Sequence, residues 1–194
     1  MWKIEDNASL VENRLFDLIV PISYSTRRDK LVTATEEIVR RAAELAQGHP
    51  EAVVVLSTCG YTFRGAEEIE WTYKQNLFEQ YGITARRAGS MNNSVQEADA
   101  VAKYVALHRL HSKRILIVTG EMHSRSARWI WRQVMPDSKI STVCISSRYE
   151  WQPDHPVLVQ RGPWRWFAAN IARQILLRIL GLDRTGRLHH RSEK

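Results

Sequence analysis

Apolar runs rich in β-branched residues alternate along the chain with segments whose apolar positions recur every three or four residues, the periods of a buried strand and an amphipathic helix. Phe16 to Ile22 reads as a first strand, with Pro21 near its end because proline lacks the N–H that a central strand donates. Leu31, Ala34, Ile38, Ala42 and Leu45 then share one helical face, and Gly48 with Pro50 signals the stop. Ala52 to Ser57 is a second buried strand. Ile69, Tyr73, Leu77 and Tyr81 mark the next helix, ended by Gly82, and Ile83 to Arg87 is a short third strand. Ser94-Val95-Gln96-Glu97 matches a capping box opening a helix that carries Val95, Ala98, Val101, Ala102 and Val105. Arg114 to Thr119 and Lys139 to Ile145 are the fourth and fifth strands, with a short helix around Ala127, Ile130, Trp131 and Val134 between them.

Continuously apolar strands alternating with helices predict a Rossmann-like, three-layer αβα fold around a mostly parallel five-stranded sheet, followed by a C-terminal amphipathic helix. With 194 residues, 44% of them apolar, the chain suits one full core and an appended segment. A charged fraction of 25% with nine Gly and six Pro excludes collagen-like and low-complexity classes. No apolar run approaches the ~18 residues of a membrane span, and the polar start Met1 to Asn7 is unlike a signal peptide, so the expected location is cytoplasmic. Cys59 and Cys144 alone cannot build a disulfide framework or a four-cysteine zinc site.

The formal charge is +7, and residues 161–194 hold seven Arg and one Lys against Asp183 and Glu193, leaving the body nearly neutral. That distribution, without a recognition motif, argues against nucleic-acid binding and for a terminal segment that meets an anionic surface. The expected organisation is a ligand-binding domain over 1–160, a basic helix over 161–182 and a disordered tail over 183–194.

In folds of this class ligands sit beyond the carboxyl ends of the strands, where strand order reverses. The loops there contain Ser23 to Arg28, Ser57 to Gly65, Gly89 to Ser94, Gly120 to Ser126 and Ser146 to Arg148. Hydroxyls recur in all five, with an Arg in or beside each, a chemistry suited to phosphate or carboxylate at helix N-termini. An Arg-rich chain also scatters Arg at random, so the sharpest signal is local. His123, Arg125 and Arg128 open a helix where positive charge opposes the macrodipole, a broken rule that a bound anion explains and that pairing with Glu121 explains equally. His123 is the candidate general acid or base, with Glu121 beside it. Glu121-x-His123 offers at most two metal ligands, so no metal is expected. Cys59 is read as a small buried residue rather than a nucleophile.

The opening strand DLIVPIS, the LSTCG after strand two followed by Glu67 or Glu68, NSVQEA, and VTGEMHSRSA together resemble the bacterial family that includes SanA, YdcF and ElyC, over Asp17 to Ile145. The resemblance implies a cleft carried by Ser57, Glu67 or Glu68, Ser94, Glu97 and His123. It also implies S-adenosylmethionine as a cofactor and a link to cell-envelope maintenance. The chain departs from the family at Thr58 and Cys59, where a second Gly is usual, and at Ser126, where the family has Arg and Arg125 or Arg128 must substitute. Lacking a membrane-spanning start, it resembles the YdcF-like members most. The ligand-binding set is then Ser23, Ser57, Gly60, Glu67, Ser94, Glu97, Ser124, Arg125 and Arg128. The expected function is binding of a small anionic molecule, phosphorylated or nucleotide-like, with hydrolysis or group transfer as the reaction classes. The alternative is a non-enzymatic envelope accessory or interaction protein.

From Pro163 to Leu180, one helical face carries Trp164, Ala168, Ile171, Ala172, Ile175, Leu176 and Ile179, and is expected to cover the sheet. Trp166, Phe167 and Leu177 share the opposite side with Arg165, Arg173 and Arg178 and are expected to stay open, either to a homodimer partner or to the inner membrane face.

Overall fold

In the computed structural model, which describes Asp6, Val11 and residues 14–179, strands and helices alternate as the two periodicities predict. The order is β1 (Leu18–Pro21), α1 (Thr33–Gly48), β2 (Val53–Cys59), α2 (Ala66–Gln80), β3 (Ala85–Met91), α3 (Ser94–Leu107), β4 (Arg114–Gly120), α4 (Ser124–Val134) and β5 (Lys139–Ile145). The five strands form one sheet in the order β3-β2-β1-β4-β5, and every neighbouring pair is parallel. Helix α1 packs beside α2, and α3 beside α4. Right-handed crossovers put these two pairs on opposite faces of the sheet, which gives the three layers. Leu18, Ile19, Val20 and Ile115 to Val118 are fully buried at the centre, as strands covered on both faces must be. The chain divides into two compact units, Met1–Glu150 and Trp151–Lys194; the second carries α5 (Pro163–Ile179).

Pro21 shapes the carboxyl edge of the sheet. Strand β1 stays paired with β4 up to Pro21↔Val118, and Ile22 N–H still donates to the Val118 carbonyl at 2.9 Å. On the other side, pairing with β2 stops at Ile19↔Val54. In a parallel strand alternate N–H groups face opposite neighbours, so the hydrogen that Pro21 lacks is the one due to β2. The two central strands therefore part early, and the gap between them holds polar side chains.

Four local expectations are corrected. The third strand is Ala85–Met91 rather than Ile83 to Arg87. Ile83 belongs to the end of α2: its N–H reaches the Phe78 carbonyl at 3.0 Å, and Gly82 N–H reaches Glu79 at 2.9 Å, a Schellman closure made possible by Gly82 at φ 70°. The strand then runs on through Gly89, whose φ of 139° accommodates a register shift opposite Leu56/Ser57. Second, the cap of α3 is Asn93, whose side chain accepts from Val95 N and Gln96 N at 3.0 Å each, while Gln96 reaches back to Asn92 N at 2.8 Å. The capping pattern is displaced by one residue, so Ser94 and Glu97 are released for other work.

Third, the inward face of α2 is Ala66, Glu70, Lys74, Leu77 and Phe78 instead of the stripe through Ile69, Tyr73 and Tyr81. Fourth, the two expected faces of α5 are mixed: Phe167 is open as expected, but Trp166 is buried, and Trp164, Ile171 and Ile175 are exposed. Trp166 is 3% exposed, its ring edge-to-face with Trp151 at 6.0 Å, whereas Trp164 is 83% and Ile175 49% exposed. A helix apolar on both sides leaves its rotation undecided in the sequence, and the larger aromatic contact decides it. The Leu177 side chain and the tail 183–194 lie outside the described residues.

Candidate functional site

Strand order reverses between β1 and β4, and the loops beyond them border the position where folds of this class have their ligand crevice. The floor lies in the gap that Pro21 opens. Beyond the last β1 partner, the Ser57 carbonyl and the Cys59 N–H of β2 have no strand to bond to. Lys74 Nζ donates to the first at 3.0 Å, and a carboxylate oxygen of Glu70 accepts from the second. The two side chains, one helical turn apart on α2, form an ion pair of 2.7 Å with no exposure at all. Burying two charges is costly, and here they satisfy backbone groups that would otherwise be stranded.

Ser23 and Glu97 complete the floor. Glu97 turns inward from α3 and accepts from Ser23 N–H at 3.0 Å and from the Ser57 hydroxyl at 2.9 Å, while the Ser23 hydroxyl donates to Glu70. Burial pushes the Glu97 carboxyl up to about 7, against the opposing pull of Ser23 N–H and nearby Lys74. Ser23, Ser57 and Glu97, three of the residues expected from the sequence, are thus joined through Glu70 and Lys74, which sequence reasoning missed.

His123 forms the wall on the β4 side. It is the residue before α4, its carbonyl accepting from Ala127 N–H at 2.9 Å. Its ring lies between two hydroxyls, Ser94 at 3.3 Å from Nε2 and Ser126 at 3.1 Å from Nδ1, and meets the edge of Tyr24 with ring centroids 6.0 Å apart. Ser94 comes from the start of α3, so its contact with His123 brings together two of the residues singled out in the sequence. Helix α4 has no acid in its first turn and no side-chain cap from His123. Arg125 is exposed and Arg128 half-buried.

Behind this wall stands Glu150, another residue missed. Its carboxylate accepts from the Tyr24 hydroxyl at 2.7 Å and from Met122 N–H at 2.9 Å. Burial raises it to about 7, and burial followed by the Glu150 charge keeps the Tyr24 phenol protonated well above its ordinary range. The approach requires glycine at position 120, since a Cβ there would lie 2.1 Å from the Glu150 carboxyl carbon. Glu121, proposed as a catalytic partner of His123, instead accepts from Ser147 N–H at 2.9 Å, while its carbonyl takes the buried Ser124 hydroxyl at 2.7 Å. It fastens the loop after β5 to the loop after β4. Gly60 follows β2 beside Glu67, whose carboxylate would stand 3.5 Å from a Cβ at that position. Glu68 is spent on an exposed pair with Arg87 at 2.6 Å.

Ser25, buried in the loop after β1, has φ 139°, where a residue with a Cβ is strained, and its hydroxyl meets that of Thr62. Strain of ~1–3 kcal/mol of this kind collects at functional sites. Cys59 is buried, and burial followed by the Glu70 charge raises its thiol to about 12, so it is no thiolate at neutral pH. A separate groove of about 500 Å³ opens at the opposite, amino-terminal ends of the strands, lined by Phe16, His49, Leu110, His111 and Arg114 among others. None of the expected site residues borders it.

The fold defines a parallel α/β protein with a topological switch point between β1 and β4. Comparison with family models, curated proteins and solved structures finds no match to this chain.

Proposed function

We propose that the crevice beyond β1 and β4 binds a small phosphorylated or nucleotide-like molecule, and that His123 exchanges a proton with it during hydrolysis or group transfer. The observation that carries this reading is the His123 imidazole, fixed by Ser94 and Ser126 beside the opening turn of α4. Three features support it. The first N–H groups of a helix have no partner within it and attract anions, and α4 brings no acid of its own to answer them. Exposed Arg28, Arg64, Arg125 and Arg148 lie in the surrounding loops and in the first turn of α4. The floor beneath is acidic and closed, which leaves an anion at the rim: Glu97 and Glu70 are buried there and take the Ser57 and Ser23 hydroxyls.

An anion held at the cationic rim suits the phosphate of a nucleotide or sugar phosphate. S-adenosylmethionine, the ligand implied by the YdcF-like resemblance, shares the nucleoside half of a nucleotide. Inorganic phosphate, adenosine monophosphate and S-adenosylmethionine are the probes. At least one should raise the melting temperature of the wild type, because a ligand that binds only the folded state stabilises it by mass action, and the rise should vanish in His123→Ala. No rise with any probe, or an equal rise in the variant, defeats the reading. A second reading, a non-enzymatic envelope accessory, is favoured by the outward face of α5.

A further inference from the structure

We propose that α5 lies on an anionic membrane surface through the stripe formed by Trp164, Phe167, Ala168, Ile171 and Ile175. These positions follow one another at helical spacing, and their exposures are large for apolar side chains: 83% for Trp164, 37% for Phe167, 39% for Ile171 and 49% for Ile175. Isolated apolar residues on a surface need no explanation, but a continuous stripe along three turns of one helix marks a contact.

The charge pattern says which contact. Between Pro163 and Leu182 there is no Asp or Glu, while Arg165, Arg173 and Arg178 lie within the helix and Arg161 just before it. A solvated surface helix ordinarily mixes both signs and gains from i,i+4 pairs, and this one has no partner of opposite sign to use. Over residues 161–194 the net charge is +6. A second copy of the chain would bring +6 against +6, whereas an anionic lipid surface neutralises each basic residue that approaches it. Nucleic acid would meet the arginines but has no use for a stripe of Trp, Phe and Ile. Tryptophan is the side chain that settles at headgroup depth, and arginine stems extend along the apolar boundary with their guanidinium groups in water.

The helix rests on the surface rather than crossing it. It has 17 residues, with three arginines, and no described helix is long and apolar enough to span. The stripe shares no residue with the crevice, so the two proposals stand or fall separately.

The test uses the full chain in flotation with vesicles of phosphatidylcholine, with and without phosphatidylglycerol, alongside sedimentation. The wild type should float with the phosphatidylglycerol vesicles, remain behind with phosphatidylcholine alone, and be released by high salt. Trp164→Ser with Ile175→Ser should cut the bound fraction by on the order of tenfold or more while leaving the melting temperature unchanged, because both side chains are already in water. Arg165→Glu should weaken binding without touching the stripe. Absence of flotation, flotation unaffected by either variant, or a stripe-dependent dimer that ignores vesicles would each overturn the proposal.

Discussion

Lys74→Met is the most informative single perturbation of the crevice floor. The ammonium has a Glu70 carboxylate at 2.7 Å and the Ser57 carbonyl at 3.0 Å, and both side chains of the pair are wholly buried. Methionine fills the same volume without the charge. It leaves a carboxylate uncompensated in the interior and a β2 carbonyl without its donor, a loss of about 3–5 kcal/mol for breaking one side of a buried pair. In urea, with a slope of ~2 kcal/mol/M, the unfolding midpoint should fall by about 2 M. Glu70→Gln should cost less, because the amide oxygen still accepts and the ammonium keeps Ser57. The double variant Glu70→Gln, Lys74→Met should lose less than the sum of the two single losses, with a coupling on the order of 2 kcal/mol. Denaturation of the four proteins by urea, followed by circular dichroism, measures the cycle. A Lys74→Met loss within ~1 kcal/mol, or strictly additive losses, would mean that the pair does not replace the strand contact that Pro21 forgoes.

Further outcomes follow from the same geometry. Glu97 is raised from 4.5 to about 7, so its contribution to stability is complete below about pH 4.5 and is lost as the pH climbs to about 7. Glu97→Gln keeps an acceptor for Ser23 and Ser57, and should match wild type near pH 4 yet exceed it by up to about 3 kcal/mol at pH 8; urea midpoints at the two pH values check this, and equal differences would refute it. Gly120→Ala drives a methyl group into the Glu150 carboxyl and should cost about 2–4 kcal/mol by thermal melting, much of it recovered when Glu150→Ala is added. If His123 acts as acid or base, turnover of a substrate found by screening should fall on the order of a hundredfold in His123→Ala, with the circular dichroism spectrum preserved.

The alternation of strands and helices was legible in the sequence, because β1, β2, β4 and β5 are largely buried and α1 shows one apolar stripe, whereas the half-exposed β3 and the mixed inward face of α2 were misread in their details. Ser57, Ser94, Glu97 and His123 were singled out from the sequence, and the structure brings them into two clusters, Ser94 with His123 and Ser57 with Glu97. Glu70 and Lys74 were not found. Their role exists only because Pro21, about 50 positions away in sequence, ends the pairing of β1 with β2, and no local pattern in α2 announces that. Glu150 was hidden for the same reason: its partner Tyr24 is 126 residues distant, and the clearance at Gly120 is visible only in three dimensions. Ser94-x-x-Glu97 was read as a capping box because the motif is right, but Asn93 one position earlier captures the cap and frees Glu97 for the floor.

Nitrogen-15 correlation spectra of the imidazoles and backbone amides, recorded during titration with phosphate, adenosine monophosphate or S-adenosylmethionine, test the crevice most directly. The account predicts that at least one probe shifts the His123 ring together with the amides of Ser124 to Ala127 and of Ser23 to Thr26. The groove lined by His49 and His111 should stay unmoved. Shifts confined to that opposite groove, or none at His123 with any probe, would contradict it.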